Sequence, residues 1–243
     1  DWPVNETFQL MVGVRGQKLF EDRAGIGRRV IPAGSMWGGE IIGIWQDVTL
    51  LARPKLQVAD VYVRPLVSAG TLALDVTVAN TGDAAATAEL AADVNEWLNR
   101  AGTDVLSAPV PAWEVGAAKL AKTVGAIEVA AKSEKVVTIE IPVAKDALKT
   151  WTPTHPNLHL LAVTLSANGA AVDRKIERFG WREWTIKGTD YCLNGEKIQF
   201  KSDSWHFMGI PQMTRRYAWT WFKAIKEANG NAVRLQAQVY PSF

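Results

Sequence analysis

Between Gln57 and Arg178 aliphatic and β-branched residues recur at alternate positions between turn formers. A chain written that way buries its apolar side chains only as half-covered β-strands. Val61 and Val63, preceded by Val58, and then Leu72, Leu74, Val76 and Val78 carry the period, and Asn80-Thr81-Gly82-Asp83 supplies turn chemistry. Further strand runs are Thr87–Val94, Ala126–Ala130, Val136–Ile141 and Leu158–Ser166, the last closed by Asn168-Gly169, a hairpin signal. About seven short strands over roughly 120 residues predict an immunoglobulin-like β-sandwich.

The flanks obey other rules. Residues 1–53 offer two apolar runs, Phe8–Val14 and Ile41–Leu50, around the Gly-rich stretch Ala33–Gly39. So few strands cannot enclose a core, and they read as the last strands of a larger β domain. After Phe179 the spacing changes. Lys197–Ser204 reads as a strand and Thr214–Asn229 as a helix with Thr214 as N-cap, its apolar face being Tyr217, Ala218, Trp221, Phe222, Ile225 and Ala228. Gly230 is expected to end the helix and Asn231–Gln236 to form the next strand, giving one β-α-β unit that needs partners to close a sheet. The predicted domains are therefore 1–55, 56–180 and 181–243.

Composition narrows the function classes. Hydrophobic residues at 48% and charged ones at 21% are those of a folding chain. Basic residues exceed acidic ones by 27 to 25 and are scattered, so no nucleic-acid partner is expected. The one cysteine, Cys192, rules out an internal disulfide and a Cys-rich metal site, and its place between Tyr191 and Leu193 suits a small packing residue. No apolar run approaches the ~18 residues of a membrane span, so no membrane partner is expected either. Asp-Trp-Pro at the start has no signal-peptide character and reads as a boundary rather than a translational start, and Asn5-Glu6-Thr7 fits a glycosylation sequon, a pattern common by chance. The compartment stays open, with a slight lean toward the bacterial periplasm or secretion.

Three groups of motifs occur in order. Gly43-Ile44-Trp45-Gln46-Asp47-Val48, Arg53-Pro54 and Asp60-Val61-Tyr62-Val63-Arg64-Pro65 open the series. Trp151-Thr152-Pro153-Thr154-His155-Pro156-Asn157-Leu158 and Asp173 with Phe179-Gly180-Trp181-Arg182 follow. Leu193-Asn194-Gly195-Glu196-Lys197-Ile198, Lys223-Ala224-Ile225-Lys226, Asn231-Ala232-Val233-Arg234 and Tyr240-Pro241 close it. Together they resemble an internal piece of the family 2 glycoside hydrolases, the β-galactosidase, β-glucuronidase and β-mannosidase group. The resemblance implies the C-terminal part of a jelly-roll domain over 1–55, the sandwich over 56–180, and the truncated start of a TIM (β/α)8 barrel over 181–243. Two segments depart from the family pattern: Lys201–His206 stands for "R-G-V-N-x-H", and Gln236–Val239 replaces "T-S-H".

Retaining glycosidases need two carboxyl groups about 5–5.5 Å apart. The resemblance puts both on glutamates at the ends of the fourth and seventh barrel strands, so no catalytic residue is expected in this chain. Glu183, Glu196 and Glu227 are poor substitutes, lying before the barrel, in a hairpin and on a helix, whereas such sites are built at the C-terminal ends of the strands. The expected substrate-binding residues are Asp203, Trp205 and His206 after the first strand, and Arg234, Gln236, Gln238 and Tyr240 at and after the second. Competing roles stay open: Arg234 as a buried ion-pair partner, His206 as a packed loop residue, Asp203 as a structural acceptor. Most of the 11 tryptophans, Trp45, Trp97, Trp151, Trp181 and Trp221 among them, suit core packing, with Trp205 and then Trp37 as sugar-stacking candidates. His155 and His159 have no third ligand nearby, so no metal is expected, and no cofactor is implied.

The whole protein is thus expected to be a retaining, exo-acting β-glycosidase. Its partners would be a carbohydrate substrate, the remainder of the barrel and, if it self-associates, further copies in a homo-oligomer. The alternative is a non-catalytic carbohydrate-binding or scaffolding module.

Overall fold

The computed structural model describes residues 9–13, 44, 48, 51–100, 113–205 and 215–235. Leu51–Gln199 forms one compact unit, and the chain from Phe200 onward belongs to another. The fold is mainly β.

In the first unit, seven strands make two antiparallel sheets. β1 (Leu56–Leu66), β2 (Thr71–Asn80) and β5 (Ser133–Pro142) pair in the order β1-β2-β5. β3 (Ala86–Asn99), β4 (Trp113–Val129), β6 (His159–Ala167) and β7 (Ala170–Phe179) pair in the order β4-β3-β6-β7. Alternation decides which side chains enter the shared core. Leu72, Leu74, Val76 and Val78 of β2 are wholly buried and meet Leu90 and Val94 of β3 and Leu161, Val163 and Leu165 of β6 in one cluster. Each such side chain contributes roughly 1.5–3 kcal/mol by leaving water.

Several turns depend on particular residues. Asn168 and Gly169 take φ of 52° and 76° between the paired Ala167 and Ala170, the two positive φ values of a type I′ turn. Asn80 is buried, and its amide donates to the carbonyls of Ala84 and Val129 while its side-chain oxygen accepts from the Gly82 N–H. Between the two sheets, the Asp173 carboxylate on β7 accepts the Val58 N–H on β1 at 2.7 Å. The motif aspartate is therefore a tie between sheets.

After β7 a small antiparallel sheet follows, β8 (Trp184–Lys187), β9 (Asp190–Leu193) and β10 (Glu196–Lys197), in the order β10-β9-β8. Asn194 and Gly195, at φ 52° and 86°, make its second turn. In the other unit β11 (Ser202–Trp205) and β12 (Ala232–Leu235) pair in parallel, connected through α1 (Arg215–Glu227). Parallel pairing requires such a crossover.

Four expectations need correction. The strand expected at Ala126–Ala130 begins at Trp113, because Trp113–Gly125 pairs with β3 although its alanines and lysines show little strand character. The single strand expected over Lys197–Ser204 is two, since Glu196–Lys197 pairs antiparallel with β9 and Ser202–Trp205 parallel with β12. At the helix end the left-handed residue is Asn229, φ 61°, not Gly230. The Gly230 N–H donates to the Ile225 carbonyl and the Asn229 N–H to that of Lys226, a Schellman ending. Gly230 is required for a different reason: a Cβ there would collide with Ile225 Cγ2 and lie 2.9 Å from the Ile225 oxygen. Finally, Gln9–Gly13, inside the run expected as a strand, has no regular structure and is exposed, as do Ile44 and Val48. The rest of the N-terminal runs, the Gly-rich stretch with Trp37, and Thr214 lie outside the described residues.

Candidate functional site

The parallel register sets Ser202 beside Ala232, Asp203 beside Val233, Ser204 beside Arg234 and Trp205 beside Leu235. Side chains alternate along a strand, so neighbours in register share a face. Ser204 and Arg234 therefore lie on one face of the pair, and Asp203 and Val233 on the other.

Lys201, Ser202 and Asp203 line a cleft of about 440 Å³ with Trp221, Ala224 and Ile225 of α1 and with Ala228 and Gly230 beyond it. One carboxylate oxygen of Asp203 accepts the N–H of its neighbour Ser204 at 2.7 Å. Asp203 and Arg234, expected to serve one site, are thus not brought together by the strands. Ser204, which is brought beside Arg234, was not among the expected residues. No signal within the sequence would have found it, because the pairing register of the two strands sets it. Trp205 ends β11, while His206, Gln236, Gln238 and Tyr240 lie outside the described residues.

The three glutamates near these elements have other surroundings. The Glu183 carboxylate accepts the Ser68 N–H at 2.7 Å, Glu227 lies 3.8 Å from Lys223 one helical turn away, and Glu196 is exposed at the start of β10. No group of His, Cys, Asp and Glu able to hold a metal occurs among the described residues.

The motif segments that looked like framework converge at one junction of the sandwich unit. The Trp151 N–H donates to the Trp181 carbonyl at 2.9 Å, and the Arg182 guanidinium lies over the Trp151 ring at 4.2 Å. Gly180 packs so near that a Cβ there would come within 3.0 Å of Trp151 Cβ. The Asn194 amide donates to the Trp151 carbonyl at 3.0 Å, and its side-chain oxygen accepts the Glu183 N–H at 2.9 Å. Nearby, His159 is buried against the Phe179 ring, with Nε2 3.0 Å from the Lys149 carbonyl. A carbonyl only accepts, so Nε2 carries the proton. Burial pushes this imidazole below its ordinary pKa even though the Lys149 carbonyl favours the protonated form.

The family model for the glycosyl hydrolases, family 2, matches residues 56–182, just over half of the chain. The chain belongs to that family. The matched stretch of this family 2 chain runs from β1 through the Trp151–Arg182 junction and ends before β8. No curated protein matches the chain. Solved structures do, at identities that speak to the fold. A family 2 β-galacturonidase from Eisenbergiella tayi bound to galacturonate aligns with TM-score 0.59 and 19% identity, over 78% of this chain and 30% of that one. A β-glucuronidase from Bacteroides uniformis aligns with TM-score 0.59 and 20% identity, over 79% and 22%. A family 2 member from Bacteroides cellulosilyticus aligns with TM-score 0.60 and 16% identity, over 76% and 24%. The chain thus spans less than a third of these proteins' length. It carries a glycoside hydrolase-related domain.

Proposed function

We propose that the chain is part of a retaining, exo-acting β-glycosidase that removes terminal β-linked sugars from oligosaccharides or glycoconjugates. The sandwich is its immunoglobulin-like domain, residues 1–55 end a jelly-roll domain, and residues 181–243 begin a TIM barrel. The observation that carries the reading is the parallel β11-α1-β12 unit following a family 2 sandwich, with Arg234 near the C-terminal end of the second strand.

In this reading Arg234 holds and orients the carboxylate nucleophile, with Ser204 beside it on the same face. Trp205, His206, Gln236, Gln238 and Tyr240 line the sugar pocket from the strand ends. Asp203, beside Val233 in the register, is the further polar group near the end of β11. Both catalytic glutamates come from later strands, so residues 1–243 alone hydrolyse no aryl β-glycoside above the buffer rate.

The test is Arg234→Ala in the whole enzyme, with kinetics and thermal melts on one preparation. Losing one preorganised polar contact costs on the order of 10²–10³ in kcat. A normal kcat beside a lowered melting temperature would instead make Arg234 a framework residue.

A further inference from the structure

Asparagine precedes glycine at 168–169, 194–195 and 229–230, and the three asparagines hold left-handed φ values of 52°, 52° and 61°. Such a pair is chemically labile, because no side chain on the glycine shields its nitrogen. We propose that Asn168 is the site at which the folded protein deamidates, the other two pairs being held back by their hydrogen bonds.

The step consumes water and releases ammonia. The Gly169 amide nitrogen, giving up its proton to solvent base, attacks Asn168 Cγ, and the new C–N bond closes a succinimide ring as the Cγ–NH2 bond breaks. Water then opens either carbonyl of the ring, leaving aspartate or isoaspartate. In the left-handed conformation the glycine nitrogen points away from Cγ, so the asparagine must first swing out of its turn. What resists that local opening decides which pair reacts.

Asn168 and Asn194 form a matched comparison. Both stand in two-residue turns, one between Ala167 and Ala170 and the other between Leu193 and Glu196. The Asn194 amide donates to the Trp151 carbonyl at 3.0 Å and its oxygen accepts the Glu183 N–H at 2.9 Å, so Cγ cannot turn toward Gly195 without losing both bonds. Asn168 and Gly169 are exposed, and among the described residues neither the Asn168 side chain nor the Gly169 N–H has a hydrogen-bond partner. Behind this turn the strand pairing shifts register between Leu165 and Ser166, which holds the tip less firmly. In the third pair the nucleophile itself is engaged, since the Gly230 N–H donates to the Ile225 carbonyl at 2.8 Å. Isoaspartate at 168 would run the main chain through one more carbon and add a carboxylate, so the turn would no longer fit the Ala167–Ala170 pair.

The test ages the 243-residue chain in warm, mildly alkaline buffer, with and without concentrated urea, and reads tryptic peptides by mass spectrometry against a zero-time sample. Peptides Thr150–Arg174 and Gly188–Lys197 report on Asn168 and Asn194, and fragment ions distinguish Asn168 from Asn157. In the folded chain Asn168 should convert roughly 10-fold faster than Asn194, the worth of the two hydrogen bonds. In urea the two rates should converge, because both sites are Asn-Gly. The proposal is overturned if Asn194 converts as fast as Asn168 in the folded chain, if the ratio survives unfolding, or if Asn168 does not convert in the folded chain.

Discussion

The Asn194 side-chain amide donates to the main-chain carbonyl of Trp151 at 3.0 Å, joining a hairpin turn to a segment 43 residues earlier. The same side chain accepts from Glu183, and its residue holds a left-handed φ of 52°. Three demands thus fall on one asparagine. Asn194→Gly keeps the turn but strips both hydrogen bonds and should cost roughly 1–3 kcal/mol in urea unfolding. Asn194→Ala should cost more, because it adds a strained φ. Equal stability of the two variants would show the turn conformation to be unimportant here.

Asp173 ties β7 to β1 through the Val58 N–H. Replacing it by leucine leaves that donor without its acceptor, at a cost of about 1–3 kcal/mol, whereas asparagine retains an acceptor oxygen and should cost less. Denaturant midpoints of the two variants give the comparison, and a leucine variant as stable as the parent would argue against an inter-sheet tie.

His159 makes stability depend on pH. Its folded-state pKa is lowered by burial, and the groups around it are the charged Glu96, Lys119 and Lys149. The unfolded imidazole titrates near about 6.5, so below that pH the unfolded chain takes up a proton that the folded one resists. Stability is therefore complete above about pH 6.5 and declines as pH falls toward the lower folded value. His159→Gln can still donate to the Lys149 carbonyl but does not titrate. Subtracting its stability curve from that of the parent between about pH 7.5 and 5 should leave a downward slope on the acid side, and a flat difference would contradict the burial argument.

Gly230→Ala brings a methyl group against Ile225, including its main-chain oxygen at 2.9 Å, which cannot turn aside as a side chain can. Strain of roughly 1–3 kcal/mol should fall on the helix-to-strand turn. Amide exchange in Ala232–Leu235 should quicken while β2 and β6 stay protected. Unchanged exchange in β12 would mean that the turn accommodates the methyl freely.

What the sequence by itself determined was local. Alternating valines and leucines made β2 a strand with one face inside, and Asn-Gly pairs at 168–169 and 194–195 specified two tight turns, because only residues tolerant of positive φ fit there. The β-α-β order after Phe179 was also legible from the change in apolar spacing. The tertiary structure decided what depends on distant partners. Trp113–Gly125 is a strand because β3 offers it hydrogen bonds, and its own residues say little. Lys197–Ser204 reads as continuous, yet it divides because its two ends pair with different sheets. At the candidate site, sequence reasoning gathered Asp203 and Arg234 because both stand near strand ends. Only the register shows that Arg234 shares its face with Ser204 and that Asp203 lies on the other. A one-residue shift in pairing exchanges the two faces of a strand, and that shift is set by a neighbour some thirty residues away, as the Ser204–Arg234 pair illustrates.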